Sequence, residues 1–287
     1  MNAQILDGKK VASQFKEQLK NEIEILKKRS GIHPVAVSVL STDDPGAVSY
    51  AASQKKTADE LGIDYRIQHV PPSISSTEFE KLIQQFNHNS TIHAVLINKP
   101  VPSQIDFSSM VNLLSEKKEM EGINCLNMGK IFLGQFQLVP CTAASVMEHL
   151  RHAQVPLKGK NVVIIGRSEI VGKPLIFLLL AQNATVTVCH SATDAAGQLE
   201  NHLRLADIVI VAIGKPNFLK GGWLKPGAVV IDVGVNRVDG KITGDADFNS
   251  VVAVASAITP VPGGVGPVTA VMLMKNIVEA YKQQVSM

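Results

Sequence analysis

The stretch Asn161-Val-Val-Ile-Ile-Gly-Arg-Ser-Glu-Ile-Val-Gly-Lys-Pro174 decides the fold of this chain. Val162 to Ile165 are four consecutive β-branched residues, which read as a buried strand. Gly166 ends that strand, and an apolar run of helical character, Pro174 to Gln182, follows the loop. A glycine loop between a buried strand and a helix is the context of dinucleotide binding. Bare backbone admits the pyrophosphate, and the helix N-terminus faces its charge. The spacing is unusual, because Gly166 and Gly172 lie six apart and Ser168 holds the place of the middle glycine. Gly166, Arg167, Ser168 and Gly172 are the cofactor-binding candidates. An ordinary strand-to-helix turn in a parallel sheet is the competing reading.

The alternation continues on both sides. Thr185 to Cys189, Asp207 to Ala212 and Val229 to Val233 read as further strands, with a short helix at Leu199 to Leu205. Toward the N-terminus, Val11, Phe15, Leu19, Ile23 and Leu26 recur at spacings of three and four, predicting a helix over 8–29. Val35 to Leu40, Tyr65 to Val70 and His93 to Ile97 read as strands. Helices are predicted over 46–61, ending at Gly62, and over 77–87, with Thr77 as N-cap. Residues 98–140 are irregular, Thr142 to His152 is helical, and a last helix spans about Val268 to Gln283. Strands alternating with helices imply an α/β class built from parallel βαβ units. The expected division is a substrate domain over 1–120, a Rossmann domain over 121–267, and a terminal helix, 268–287, packed back onto the first.

The end of the second nucleotide-side strand selects the cofactor. An NAD site places Asp or Glu there to hold the ribose 2′-hydroxyl. Here the strand ends Val188-Cys189-His190-Ser191, without an acid. Arg167 offers a guanidinium whose fork binds two phosphate oxygens, Ser191 offers a hydroxyl, and His190 lies beside it. NADP is the expected cofactor. The plain alternatives are a solvated loop cation for Arg167 and a surface histidine for His190.

Composition narrows the partners. The 287 residues suit two domains, and 45% hydrophobic residues supply their cores. A net charge of +3 without a Lys/Arg run argues against nucleic acid. No apolar run reaches the ~20 residues of a membrane span. MNAQILDGKK lacks a basic segment followed by an apolar core, so a cytoplasmic location is expected. Cys125, Cys141 and Cys189 have no C-x-x-C spacing, and the eight histidines form no H-E-x-x-H, so no metal is expected.

Thr259 to Pro267, TPVPGGVGP, packs three glycines and three prolines into nine residues, which excludes regular helix or strand. Together VVIIGRSEIVGKP, ATVTVCHS, VVIDVGVN and ITPVPGGVGPVT, in this order and spacing, resemble the methylenetetrahydrofolate dehydrogenase/methenyltetrahydrofolate cyclohydrolase family. The likeness runs nearly the whole length, including Tyr50 to Ile63 and Pro140 to Thr142. It implies two α/β domains around a cleft, the C-terminal one Rossmann-type, in a homodimer that uses NADP in one-carbon metabolism. It implies hydride transfer from 5,10-methylenetetrahydrofolate to NADP, then water addition to the methenyl cation, giving 10-formyltetrahydrofolate. The resemblance sets Gly166, Arg167, Ser168, Ser191 and Val235 at NADP and Tyr50 against the folate. Pro262, Gly263, Gly264, Val265 and Gly266 close over the substrate.

The chain departs from the family pattern at the chemical centre. The signature Tyr-x-x-x-Lys reads Tyr50-Ala-Ala-Ser-Gln54, so glutamine stands at the lysine position. Lys55 and Lys56 are out of register, because one residue turns a helix by about 100°. The glutamine of VQLP becomes Asn98, followed by Lys99 and Pro100, and the pterin-holding aspartate of DVDG becomes Glu121. Ala143 and Ser145 stand where the family has proline and glycine. Hydride transfer chiefly needs two aligned carbons. Water addition needs proton handling, which a lysine of lowered pKa supplies and glutamine does not. The expected activity is therefore dehydrogenase with weak or lost cyclohydrolase. The rivals are a fully bifunctional enzyme with Lys99 as the cation, a dehydrogenase for another substrate, and a folate- or NADP-binding paralogue without catalysis.

Overall fold

The computed structural model describes residues 3–285. The strands are β1 Gln4–Ile5, β2 Val35–Leu40, β3 Asp64–His69, β4 Ala94–Ile97, β5 Asn161–Ile165 and β6 Thr185–Cys189, then β7 Ile208–Val211, β8 Val229–Asp232, β9 Asn236–Val238, β10 Lys241–Thr243 and β11 Ala257–Ile258. Contacts divide the chain into two compact units. One gathers Gln14–Val139 with the residues from Ala270 onward; the other gathers the residues to Ser13 with Pro140–Thr269.

The first unit is a parallel sheet in the order β3-β2-β4. Val35, Val37 and Val39 of β2 point to one face and pack with Phe79, Ile83 and Phe86 of the helix Ser76–His88. Its N-cap, Ser75, lies two residues before the expected one. Ser75 accepts from the Glu78 backbone, and Glu78 answers on the Ser75 N–H, closing a capping box that Thr77 cannot form from inside the turn. The helix Pro45–Leu61 buries Ala47, Ala51, Gln54, Ala58 and Leu61, a spacing of four and three that defines one stripe. It ends on Gly62 in the left-handed region, as the sequence predicts.

The second unit is a six-stranded parallel sheet in the order β1-β11-β8-β7-β5-β6, with the antiparallel hairpin β9-β10 beside it. From β5 the chain moves outward to β6, then back across to β7. Strand order therefore reverses at the carboxyl ends of β5 and β7, where Rossmann-like sheets take their ligands. Val163, Ile165, Val209, Val211 and Val230 centre its core.

The unit boundaries differ from the expected 1–120 and 121–267. Residues before Ser13 join the second unit because β1 pairs with β11, a two-residue strand too short to show a periodicity. Residues 121–139 stay with the first unit. Asn124 Nδ2 donates to the Val111 and Leu114 carbonyls, and Asn276 Nδ2 to those of Met120 and Val139. The irregular 98–140 stretch also contains helices Phe107–Leu113 and Cys125–Phe132. The last helix begins at Val265, so Val265 and Gly266 belong to its first turn.

Candidate active site

In the first unit, four polar side chains meet beneath the helix Pro45–Leu61. The stripe that buries Ala51 and Ala58 also buries Gln54, which is 4% exposed. A buried amide requires partners. Tyr65 Oη donates to Gln54 Oε1 at 2.8 Å. Tyr65 lies on β3 opposite Ala36, whose small side chain leaves room for the ring. Ser38, the single polar residue of β2, hydrogen-bonds the Tyr65 hydroxyl. Asn98, just after β4, donates from Nδ2 to Ser38 Oγ at 2.5 Å and to the Val39 carbonyl at 3.0 Å. Burial chiefly, with the nearby charges of Tyr50 and Glu121, pushes the Tyr65 phenol up from its ordinary range.

The lysines beside Gln54 point elsewhere. Lys55 pairs with Asp59 at 3.0 Å and donates to the Tyr65 carbonyl at 3.1 Å, and Lys56 is exposed. Tyr50, one turn before Gln54, is exposed. Lys99 is exposed too, its ammonium 4.0 Å from the centre of the Phe107 ring, and its charge reaches Glu121.

Glu119 and Glu121 form the second cluster. The Glu119 carboxylate accepts backbone N–H groups from Glu121, Ile123 and Asn124 at 2.7, 2.7 and 3.0 Å. The Glu121 carboxyl is pushed up to about 7 by burial first and then by the charge of Glu119; Lys99 pulls it partly back. A group titrating there changes protonation near neutral pH.

In the second unit a cavity of about 270 Å³ opens at the strand-order reversal. It is lined by Gly166 and Arg167 after β5, His190 and Ser191 after β6, and Ile213 and Lys215 after β7. Gly166 has φ of +123°, and a Cβ there would lie 2.4 Å from the Ala212 carbonyl oxygen. A Cβ on Gly172 would lie 2.4 Å from the Gly166 carbonyl oxygen. Both glycines are required by close backbone approach, the feature of a nucleotide cradle. His190 Nδ1 accepts the Ala192 N–H at 3.3 Å, which leaves Nε2 as the donor. Four cationic or donor side chains, Arg167, His190, Ser191 and Lys215, around bare backbone fit a ribose phosphate. Ser168 is exposed in the same loop.

A second cavity, about 310 Å³, is lined by Lys9, Asp232, Val235 and the segment Pro260–Pro267, which contains Pro262, Gly263, Gly264, Val265 and Gly266. Gly8 N–H donates to the Gly263 carbonyl at 2.9 Å, and Ser145 Oγ to the Val265 carbonyl at 3.0 Å. Asp232 accepts backbone N–H groups from Gly234, Asp245 and Ala246, tying the end of β8 to this wall.

Gln54 and Asn98 thus share one network, with Tyr50 and Glu121 electrostatically linked to it. Lys99 joins only through charge. Sequence reasoning missed Ser38, Tyr65, Glu119, Lys215 and Asp232 as site residues. Ser38 left a signal as the lone hydroxyl in the buried run VAVSVL; Tyr65 left none, because a tyrosine on a strand reads as core.

Residues 6–121 match the catalytic-domain model of the tetrahydrofolate dehydrogenase/cyclohydrolase family, and residues 140–285 match its NAD(P)-binding domain. The bifunctional protein FolD of Bacillus licheniformis is 44% identical over 288 residues, covering 100% of both chains. That of Bacillus subtilis is 42% identical over 287 residues, also covering 100% of both. The crystal structure of the Campylobacter jejuni bifunctional FolD enzyme matches with a TM-score of 0.93 and 38% identity, over 98% of this chain and 99% of that one. The Trypanosoma brucei dehydrogenase-cyclohydrolase, solved with NADP cofactor and inhibitor, matches with a TM-score of 0.92 and 33% identity over 100% of both chains. With both family domains matched and full-length relatives above 40% identity, the chain belongs to the tetrahydrofolate dehydrogenase/cyclohydrolase family.

Proposed function

We propose that this protein oxidises 5,10-methylenetetrahydrofolate to 5,10-methenyltetrahydrofolate with NADP, and that its cyclohydrolase step is weak or lost. The observation that carries the second part is Gln54: buried, bonded through its carbonyl to Tyr65, and without a titratable group at the position where the resemblance sets a lysine. NADP, when bound, accepts the hydride. Gly166, Ser168 and Gly172 would cradle its phosphates, with Arg167, His190 and Ser191 on the ribose 2′-phosphate and Val235 also lining the cofactor site. Tyr50, Asn98, Lys99, Pro100 and Glu121 would face the folate, and Pro262 to Gly266 would cover it. None of these groups must exchange a proton for hydride transfer, whose main requirement is alignment.

Opening the methenyl cation is different. Water must lose a proton as it adds, and general acid–base help of this kind is worth ~10²–10⁴ in rate. Glutamine cannot give it. A fully bifunctional enzyme is the second reading, favoured by the Glu121 carboxyl, which titrates at about 7. The purified protein decides between them in a spectrophotometric assay. NADPH and methenyltetrahydrofolate should form without acceleration of methenyl hydrolysis. Rapid enzymatic hydrolysis would establish the bifunctional reading, and NADP binding without turnover would leave a non-catalytic paralogue. We also propose a cytoplasmic homodimer; among the described residues no helix is long and apolar enough to cross a membrane.

A further inference from the structure

We infer that Tyr65 is a positioning residue that fixes the Gln54 amide with its N–H₂ end presented to the ligand. The inference rests on the reading of Gln54 as a site residue. An amide has one accepting and one donating end, and which end faces a ligand decides what it can bind. Here the donor direction runs one way through four buried side chains. Asn98 Nδ2 donates to Ser38 Oγ, and its second bond to the Val39 carbonyl holds that amide in one orientation. With its oxygen engaged as acceptor, Ser38 turns its proton onto the Tyr65 hydroxyl. Tyr65 in turn donates to Gln54 Oε1. The carbonyl end of Gln54 is thereby satisfied within the protein.

What position 54 offers a ligand is therefore a neutral N–H donor that does not titrate. The acceptor it suits is a carbonyl oxygen or ring nitrogen of the pterin. The burial that raises the Tyr65 phenol keeps its proton in place through neutral pH, so the direction of the chain does not reverse there. Rotated the other way, Gln54 would turn its carbonyl toward the ligand and set N–H₂ against the Tyr65 hydroxyl.

The test combines a spectrum with a kinetic cycle on the full-length protein. The Gln54 side-chain amide pair is assigned in a ¹⁵N-labelled spectrum by its disappearance in Gln54→Ala. Tyr65→Phe should shift that pair, and Ser38→Ala should shift it less. Tyr65→Phe should lower kcat/KM for methylenetetrahydrofolate about tenfold, with the NADP dissociation constant unchanged. In a Gln54→Ala background the same substitution should cost nothing further. Additive losses, or an amide pair that Tyr65→Phe leaves in place, would overturn the inference. A wild-type protein that does not turn over methylenetetrahydrofolate would refute the proposed function instead. The amide pair would then judge the positioning role alone, the shift upholding it and its absence overturning it.

Discussion

The backbone N–H of Glu121 donates to the Glu119 carboxylate at 2.7 Å, so one glutamate holds the other's chain segment in place. Glu119 is 2% exposed and spends its oxygens on three backbone donors. Its charge in turn resists ionisation of Glu121, whose carboxyl sits at about 7 against an ordinary 4.5.

A pH dependence follows from that pair. Glu121 must be ionised to accept the N–H groups of a pterin, so KM for the folate should fall about tenfold between pH 6 and pH 8. In Glu121→Gln the profile should be flat over the same range. The stability effect has the opposite sense. A carboxyl raised in the fold stabilises below its ordinary value of 4.5, and that contribution is lost as pH rises through about 7. The stability of the wild type relative to Glu121→Gln should therefore fall by roughly 3 kcal/mol from pH 4.5 to pH 8, read from paired denaturant melts.

Gln54→Lys should raise methenyl hydrolysis about 10²-fold, because it restores a titratable amine where the family pattern has one. The new amine would meet the Tyr65 hydroxyl, which accepts in place of donating. Stopped-flow decay of the methenyl absorbance measures it. No gain would mean that Asn98 and Glu121, rather than Gln54, limit the step.

Arg167→Gln should weaken NADP binding about 10–100-fold while changing NAD binding less than threefold, because the guanidinium is assigned only to the extra phosphate. Calorimetric titration with each dinucleotide checks this. Equal losses for both would place Arg167 on the shared pyrophosphate.

Asp232→Asn should destabilise the second unit. Both oxygens of Asp232 accept backbone N–H groups, and an amide presents one oxygen and an N–H₂ that opposes a donor. The expected cost is ~2–3 kcal/mol, seen as a fall of several degrees in Tm. An unchanged Tm would mean that the loops carrying Gly234 and Asp245 are held by other contacts.

The legible parts of this chain are those where a local rule repeats. Strand β2 was readable to the residue because Val35 to Leu40 are apolar or small and fully buried. The strand-to-helix turn at Gly166 was readable because Gly166 sits between four β-branched residues and a helix. The N-cap at Ser75 was misplaced to Thr77, since Ser75, Ser76 and Thr77 are all competent caps in sequence. Strands β1 and β11 were invisible because two residues carry no period.

Sequence by itself determined the class of fold, the family and the glutamine at position 54. Those depend on residue identity and spacing along one segment, which the chain carries directly. Tertiary structure alone decided what that glutamine does. Its partner Tyr65 is on a strand, the next partner Ser38 is on another, and Asn98 follows a third. Hydrogen-bond direction across three strands depends on register and rotamer, and neither is written in local periodicity.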